Sequence, residues 1–340
     1  DPLGAVAGGH EETVRAAESI LKQGGNAFDA IIAAFLTSCV VEPVLASLGG
    51  GGFLLAHTAD KRDVVYDFFA QTPQVPLPRD DMDFYPIQAD FGTTTQEFHI
   101  GLASIATPGA IKGIFRIHQD LATMPMTELS QPAIDAARNG VIMSPFQSGI
   151  FNIIAPILTA TAEARQQYRS SKQPDSLITG DELFRQPQVA NFIEALAREG
   201  SDLFYKGEIA QSISDMCAEG GGQLARQDLA DYRVALRTPV SMTYRRHQVL
   251  TNPVPSCGGT LIAFALSLLE HTEPGRQQYG SGRHLQLLAE VMRLTNEARL
   301  EAQAGGSEEA ALEHLLDAAC CGPTVKEYSA MRTRTAAQRT

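Results

Sequence analysis

The sequence predicts an α+β fold in which helices predominate. Two observations support this prediction: segments with apolar residues at helical spacing follow one another along the 340-residue chain, and at least four strand-like segments lie among them. A hydrophobic fraction of 44% and a charged fraction of 19% are typical of a globular protein with a large core. No repeat or low-complexity linker divides the chain, so the sequence predicts a single structural unit over residues 1–340.

The first two predicted elements are helices that differ in their burial. A helix over 12–22 carries its apolar residues on one face, and Gly24–Gly25 ends it, because glycine tolerates the left-handed conformation that follows a last turn. A second helix begins at Asn26, a suitable N-cap, and continues to residue 36 with apolar residues on nearly every side. The second helix is therefore predicted to be buried.

Two neighbouring strands follow, at 53–57 and 64–69, joined by a polar turn in the pattern of a hairpin. A Pro-containing loop over 73–97 comes next, and its length indicates a functional or covering loop. More strand-like residues lie between 232 and 250. Further helices are predicted at 110–121, 127–138, 144–167, 188–198, 208–219, 261–269 and 284–304.

The charge balance excludes one class of partner. The chain has 27 Lys and Arg against 39 Asp and Glu, a net charge of -12, and no block of five basic residues. A nucleic acid backbone would be repelled by most of such a surface, so no nucleic acid partner is expected. The longest apolar run, 30–41, is shorter than the roughly 20 residues of a membrane span, so no membrane association is expected either.

The cysteine content bears on the compartment. Five cysteines, an odd number without zinc-like spacing, argue against a disulfide framework and favour a reducing environment. We therefore favour the cytoplasm over a periplasmic or secreted location, which a removed leader would allow. The vicinal pair Cys320–Cys321 is interpreted as two reduced thiols, and the last forty residues as a surface excursion with a flexible end.

Three motifs that suggest chemistry are better explained by structure. The run Gly49–Gly52 lacks the Lys-Ser/Thr of a phosphate loop and leads into a strand, so it predicts close backbone approach to a strand or a substrate. Cys257 stands at a glycine-rich turn that opens a helix, and the sequence identifies no base for it as a nucleophile. His10–Glu11 lacks the second histidine of a zinc protease motif. No metal and no cofactor is expected.

Several segments, in one order along the chain, carry a family resemblance. They include LKQGGNAFDA at 21–30, VVEP at 40–43, TPGA at 107–110, DLADY at 228–232 and PVPSCGG at 253–259. This collinear agreement, extending over about residues 5–300, resembles the gamma-glutamyltranspeptidases. Agreement of such length is more specific than any single motif.

The resemblance implies the fold and the partner. Members of the family are N-terminal nucleophile hydrolases, an αββα sandwich with two sheets between helical layers, made when a precursor cuts itself into a large and a small subunit. The nucleophile is the new N-terminal Thr of the small subunit. This chain is then expected to be the large (alpha) subunit, residues 1–340, with no catalytic residue of its own and with a separate small (beta) subunit completing the sandwich. A dimer of such heterodimers is a further expectation.

Thr340 is the expected processing site, because the chain stops there without the Thr-Thr-His-like start of a small subunit. In this interpretation Thr340 donates the carbonyl that is cleaved. Two alternatives stay open: Thr340 is itself the nucleophile of an uncut fragment, or the boundary is unrelated to catalysis.

One departure from the family pattern concerns the substrate. The family has a segment like Asp-x-Arg-Glu-x-Ala-Pro, whose Arg pairs with the substrate α-carboxylate. Here the matching residues are 67–73, with Phe69 in place of that Arg, Ala70 in place of the Glu, and Gln71 next to them. Losing such a bidentate contact costs about 2 to 5 kcal/mol, which disfavours an ordinary γ-glutamyl donor. Phe69, Ala70 and Gln71 are the predicted substrate-binding residues.

The leading hypothesis is the large subunit of a gamma-glutamyltranspeptidase-like amidohydrolase or acyltransferase acting on a small-molecule amide. The acyl group is either less charged than γ-glutamyl or has its carboxylate held by an Arg elsewhere. One alternative is a cephalosporin-acylase-like amidase, and another is a noncatalytic scaffold member of the family.

Overall fold

The computed structural model describes residues 4–304 apart from 271, 273, 274 and 276. The helices are α1 (Glu11–Lys22), α2 (Ala27–Val41), α3 (Ala110–Leu121), α4 (Met126–Leu129), α5 (Gln131–Asn139), α6 (Pro145–Ile153), α7 (Ala155–Leu158), α8 (Ala162–Tyr168), α9 (Pro187–Glu199), α10 (Asp202–Tyr205), α11 (Glu208–Gly220), α12 (Arg226–Asp231), α13 (Cys257–Glu270) and α14 (Gly282–Ala304). The strands are β1 (Phe53–His57), β2 (Asp63–Asp67), β3 (Tyr85–Asp90), β4 (Thr95–Ile100), β5 (Val141–Ile142), β6 (Leu183–Phe184), β7 (Ala235–Arg237), β8 (Val240–Tyr244) and β9 (His247–Thr251).

The chain divides into two compact units. The first contains the residues up to Gly52 together with Asp67–Ala235, and the second contains Phe53–Tyr66 together with the described residues from Leu236 onward. The expectation of one structural unit over 1–340 stays a prediction, because residues 305–340 lie outside the described part. The predicted surface excursion, the vicinal cysteines and Thr340 fall in that same range.

The first unit is built on the buried helix α2. Asn26 caps it as predicted: its side chain accepts hydrogen bonds from the N–H groups of Phe28 and Asp29, and the Asp29 carboxylate accepts one from the Asn26 N–H. Helices α1, α3 and α5 pack against α2. A second cluster, centred on α3 and the segment 196–232, contains Ile111, Leu196, Phe204, Tyr205, Ala210, Cys217, Leu224, Leu229 and Tyr232.

The second unit combines small sheets with two helices. Strands β1 and β2 are neighbours, as the hairpin pattern predicts, in a three-stranded sheet of order β1-β2-β7, while β8 and β9 form an antiparallel pair. Helix α13 packs on β8, β9 and α14, and its core consists of Phe264, Leu268, Val291, Leu294 and Ala298. None of the helices among the described residues has the length and apolar composition needed to cross a membrane.

Three sequence-based expectations about local structure are wrong, and one of them is the single helix expected over 127–138, which is two helices, α4 and α5. The loop expected over 73–97 contains most of an antiparallel hairpin, in which β3 pairs with β4 from Tyr85 opposite Ile100 to Asp90 opposite Thr95. One face of the hairpin carries Ile87, Ala89, Phe98 and Ile100, which are buried or half-buried, and the other face is exposed. The sequence thus contains the alternation of a half-buried strand, but only over short stretches. The single helix expected over 144–167 is three helices, α6, α7 and α8.

Two buried carboxylates in the first unit accept hydrogen bonds from neutral groups and so link neighbouring segments of the chain. Asp29 accepts from the Thr123 N–H (2.9 Å) and hydroxyl (2.6 Å) and from the Met124 N–H (3.0 Å), which ties α2 to the end of α3. Glu182, 2% exposed, accepts from the hydroxyl of Ser170 (2.8 Å) and from the N–H groups of Ser171 (2.9 Å) and Thr179 (3.0 Å).

Replacing Asp29 by Ala removes one acceptor that serves several donors. Asp29→Ala leaves the N–H groups of Asn26, Thr123 and Met124 without their carboxylate. We expect the free energy of unfolding to fall by about 2 to 4 kcal/mol, measured by denaturant titration. The exposed Asp80→Ala is the control and should change it by less than about 0.5 kcal/mol. Equal effects of the two substitutions would contradict the role assigned to Asp29.

Glu182 makes the stability depend on pH. Burial opposes its ionisation, but hydrogen bonds from Thr179, Ser170 and Ser171 outweigh burial and lower the pKa of Glu182 to about 2. Because the folded pKa lies below the unfolded one, this stabilisation is complete above about pH 4.5 and is lost as the pH falls toward 2. We expect Glu182→Gln to reduce the drop in melting temperature between pH 6 and pH 3. The exposed Glu163→Gln should retain the parent's drop, and a drop of parental size in Glu182→Gln would reject the assignment.

Candidate functional site

The candidate site lies in the first unit, where the glycine run meets the segment that follows β2. The Phe68 N–H donates to the Gly52 carbonyl (3.0 Å), and the Gly52 N–H donates to the Phe68 carbonyl (3.2 Å). A Cβ on Gly51 would lie 2.5 Å from the Ala70 nitrogen. Only glycine allows backbones to approach so closely. The close approach predicted for the glycine run is present, but the neighbour is the segment that follows β2 and not a strand itself.

The same run also meets the start of α3. The Gly50 carbonyl accepts hydrogen bonds from the N–H groups of Gly109 (2.8 Å) and Ala110 (2.9 Å). These are donors at a helix N-terminus, where an anion could otherwise bind. The carbonyl of the glycine run therefore occupies the position that a phosphate would need.

The three predicted substrate-binding residues lie consecutively on this frame. Phe69 is 57% exposed, Ala70 is half-buried and Gln71 is exposed. The Gln71 backbone forms a reciprocal pair with Thr107, through N–H to carbonyl distances of 3.1 and 2.7 Å. The structure thus brings Phe69, Ala70 and Gln71 together on a backbone that is bonded on both sides. We call residues 69–71 the wall segment.

Two side chains with no role predicted from the sequence, Asp67 and Tyr232, form hydrogen bonds with the wall segment. The Asp67 carboxylate accepts from the Phe69 N–H (3.1 Å), and the Tyr232 hydroxyl donates to the Phe69 carbonyl (2.9 Å). Tyr232 is buried, and burial, followed by the charge of Asp67, raises the pKa of its phenol. The phenol therefore stays protonated and can donate. The only sequence signal was that Tyr232 ends the DLADY segment, which shows no role by itself.

The wall segment offers a ligand an uncharged surface. The sequence contains no Lys or Arg between Arg62 and Arg79, and the exposed side chain at the centre of the segment is aromatic. Within the described ranges, no group of three His, Cys, Asp or Glu side chains is placed to hold a metal ion. The wall segment is suited to contact an apolar or aromatic part of a ligand.

The other residues considered as functional candidates from the sequence do not belong to the wall segment. Cys257 is the first residue of α13, in the second unit, in agreement with a turn that opens a helix. His10 is the N-cap of α1, where its Nδ1 accepts from the Glu12 N–H at 3.1 Å. Thr340 lies outside the described residues, so its role as a processing site stays a prediction.

The packing around the wall segment can be tested at Gly109. A Cβ there would lie 2.1 Å from both the Phe68 carbonyl oxygen and the Tyr232 hydroxyl, so Gly109→Ala should cost about 1 to 3 kcal/mol in the free energy of unfolding. The matched control is Gly149→Ala in α6, where a Cβ meets nothing within 4 Å and the change should be neutral or stabilising. Equal stability of both variants would show that the backbone at Gly109 can move aside freely.

Comparison with known proteins gives consistent matches. The family model for gamma-glutamyltranspeptidase matches residues 13–335. The chain is 31% identical over 296 residues to the acylase ACY 1 proenzyme of Pseudomonas sp. strain V22, covering 86% of this chain and 52% of that proenzyme. It is 31% identical over 293 residues to the glutathione hydrolase proenzyme of Escherichia coli K12, covering 85% and 48%. The chain thus spans about half the length of these curated relatives.

Solved structures agree on the fold. The gamma-glutamyltranspeptidase of Helicobacter pylori aligns with a TM-score of 0.78 at 23% identity, covering 97% of this chain and 95% of that one. The gamma-glutamyltranspeptidase of Pseudomonas nitroreducens, solved in complex with L-DON, aligns with a TM-score of 0.75 at 25% identity, covering 94% of each chain. These likenesses confirm the α+β fold of the N-terminal nucleophile hydrolase type. With the family model matching most of its length, the chain belongs to the gamma-glutamyltranspeptidase family.

Proposed function

We propose that this chain is the large subunit of a heterodimeric amidohydrolase or acyltransferase whose nucleophile lies on a small subunit from the same precursor. The relatives named above are proenzymes, and the chain corresponds to about half of each. The observation that carries the substrate assignment is the uncharged wall segment: Phe69 is exposed on a backbone bonded at both its N–H and its carbonyl.

The proposed reaction passes through an acyl-enzyme. The hydroxyl of the small subunit's N-terminal Thr attacks the amide carbonyl, the free α-amine of that Thr takes the proton, and the substrate amine leaves with a proton. Water then attacks the ester to complete hydrolysis, or an acceptor amine attacks it to complete transfer. In this scheme the present chain contributes binding, because the wall segment contacts the acyl group.

The two candidate functions differ in the acyl group of the substrate. A free γ-glutamyl group presents an α-carboxylate, and the exposed aromatic ring of Phe69 offers that carboxylate no charged partner. We therefore propose an acyl group less charged than γ-glutamyl, or one whose carboxylate binds an Arg elsewhere. A cephalosporin-acylase-like amidase is the second candidate, favoured by the same ring and by the likeness to acylase ACY 1.

Substrate choice is tested with the processed two-chain protein. Turnover of a γ-glutamyl anilide would support a γ-glutamyl-type acyl group whose carboxylate binds an Arg elsewhere. Turnover confined to an acyl anilide without the α-amino acid head would support the less charged acyl group and the acylase alternative. If neither anilide reacts, intact-mass analysis of the partner chain decides: an N-terminal residue without a hydroxyl or thiol would identify a noncatalytic scaffold. The same masses show whether cleavage follows Thr340.

Restoring the positive charge is the sharper test. We expect Phe69→Arg to raise kcat/KM for the γ-glutamyl anilide at least tenfold, because a new ion pair of about 1.4 kcal/mol gives that factor. Val75→Arg is the matched control, since Val75 is exposed on the same chain segment outside the wall. An equal gain in both variants would mean that general attraction, and not the wall segment, sets the preference.

A further inference from the structure

The peptide of Phe69 is bonded by side chains on both of its polar groups. Its N–H donates to Asp67 Oδ1 at 3.1 Å and its carbonyl accepts from the Tyr232 hydroxyl at 2.9 Å, whereas 57% of the residue is exposed. The side chain extends from this peptide, so the position of the Phe69 backbone depends on the two groups that bond it.

Tyr232 is itself a rigid donor. It is 1% exposed, and its ring stacks on Tyr205 at a centroid distance of 6.0 Å and an interplanar angle of 21°. The Tyr205 hydroxyl donates to the Pro108 carbonyl at 2.8 Å and accepts from the Lys112 N–H at 3.2 Å, so that ring is anchored to the start of α3. The Tyr232 hydroxyl cannot follow the wall segment if that segment moves.

The residues just before Tyr232 hold the other end of the same stretch of chain. Asp228, in α12, accepts from the Gln74 N–H at 2.9 Å and from the Ala225 N–H at 2.9 Å. Residues 69 and 74 are thus bonded to one short segment, 228–232. This second attachment is independent of the Tyr232 hydroxyl, so it serves as an internal reference.

We propose that Tyr232 is the positioning residue for acyl-group recognition: together with Asp67 it fixes the Phe69 peptide, so that the wall segment presents one preformed surface to the substrate. The assignment of the wall segment to the substrate rests on the proposed function. Tyr232 contacts no substrate in this scheme. Its effect is on binding, because a preformed surface avoids the entropy cost of ordering a loop when the substrate arrives.

The kinetic test uses Tyr232→Phe in the processed two-chain protein, with the amide that this protein turns over. We expect KM to rise about tenfold and kcat to change less than twofold. Tyr168→Phe, in the separate cluster around Phe151 and Phe184, is the control and should leave both constants unchanged. A fall in kcat at constant KM, or the same change in both variants, would overturn the proposal.

Asp67 supplies a second pair of variants. Asp67→Asn retains an oxygen that can accept from the Phe69 N–H, whereas Asp67→Ala removes it. Asp67→Asn should keep KM within threefold of the parent, and Asp67→Ala should raise it about tenfold. If both raise KM equally, the hydrogen bond to the Phe69 peptide is not what matters.

A double-mutant cycle tests whether Tyr232 acts through Phe69. In the Phe69→Ala background the wall has lost its ring, so adding Tyr232→Phe should change KM less than twofold. A second tenfold rise in that background would show that the two residues act independently, and it would reject the positioning role.

Hydrogen exchange separates this inference from the proposed function. In the two-chain protein, Tyr232→Phe should speed exchange of the Phe69 and Gln71 amides at least threefold and leave the Gln74 amide, held by Asp228, unchanged. Absence of any amide turnover would count against the proposed function, while the exchange pattern still decides whether Tyr232 fixes the wall segment. Unchanged exchange at Phe69 would overturn the positioning role, whatever the activity.

Discussion

The contact on which the site depends is the crossing of three backbones at the glycine run. Gly50 accepts from the first N–H groups of α3, Gly52 pairs with Phe68, and Gly51 passes so close to Ala70 that a methyl group would not fit. These segments are far apart in sequence, and each uses main-chain groups to bond the next. The crossing therefore places the wall segment largely independently of which side chains the wall carries.

Charged side chains are buried in the interior of the first unit, whereas the wall segment has none. Asp29 and Glu182 are buried carboxylates held by N–H and hydroxyl donors, and those hydrogen bonds keep them ionised despite burial. The wall segment, at the surface, has an aromatic ring where the family pattern has a cation. The interior thus contains charged groups that stabilise the fold, while the exposed residues 69–71 are uncharged.

Local patterns in the sequence were enough for much of the fold. The capping residues at Asn26 and Asp29 mark the start of α2, and the apolar spacing marks α3, because both signals act within a few residues. The hairpin of β3 and β4 carries a weaker signal, since the alternation at Ile87 and Ala89 is short and β3 includes Pro86. Phe69 could be found by its place in a family motif. Its hydrogen bond to Tyr232 spans 163 positions, and no local pattern encodes a contact over that separation.

Both hydrogen bonds that hold residue 69 are made to its peptide group, so neither depends on which side chain that residue carries. Exchange of the aromatic ring for another side chain leaves both bonds and the glycine crossing available. The side chain at position 69 can thus change by a single substitution, without compensating substitutions in the core. Position 69 therefore combines freedom in the choice of side chain with a backbone that is bonded at both its N–H and its carbonyl.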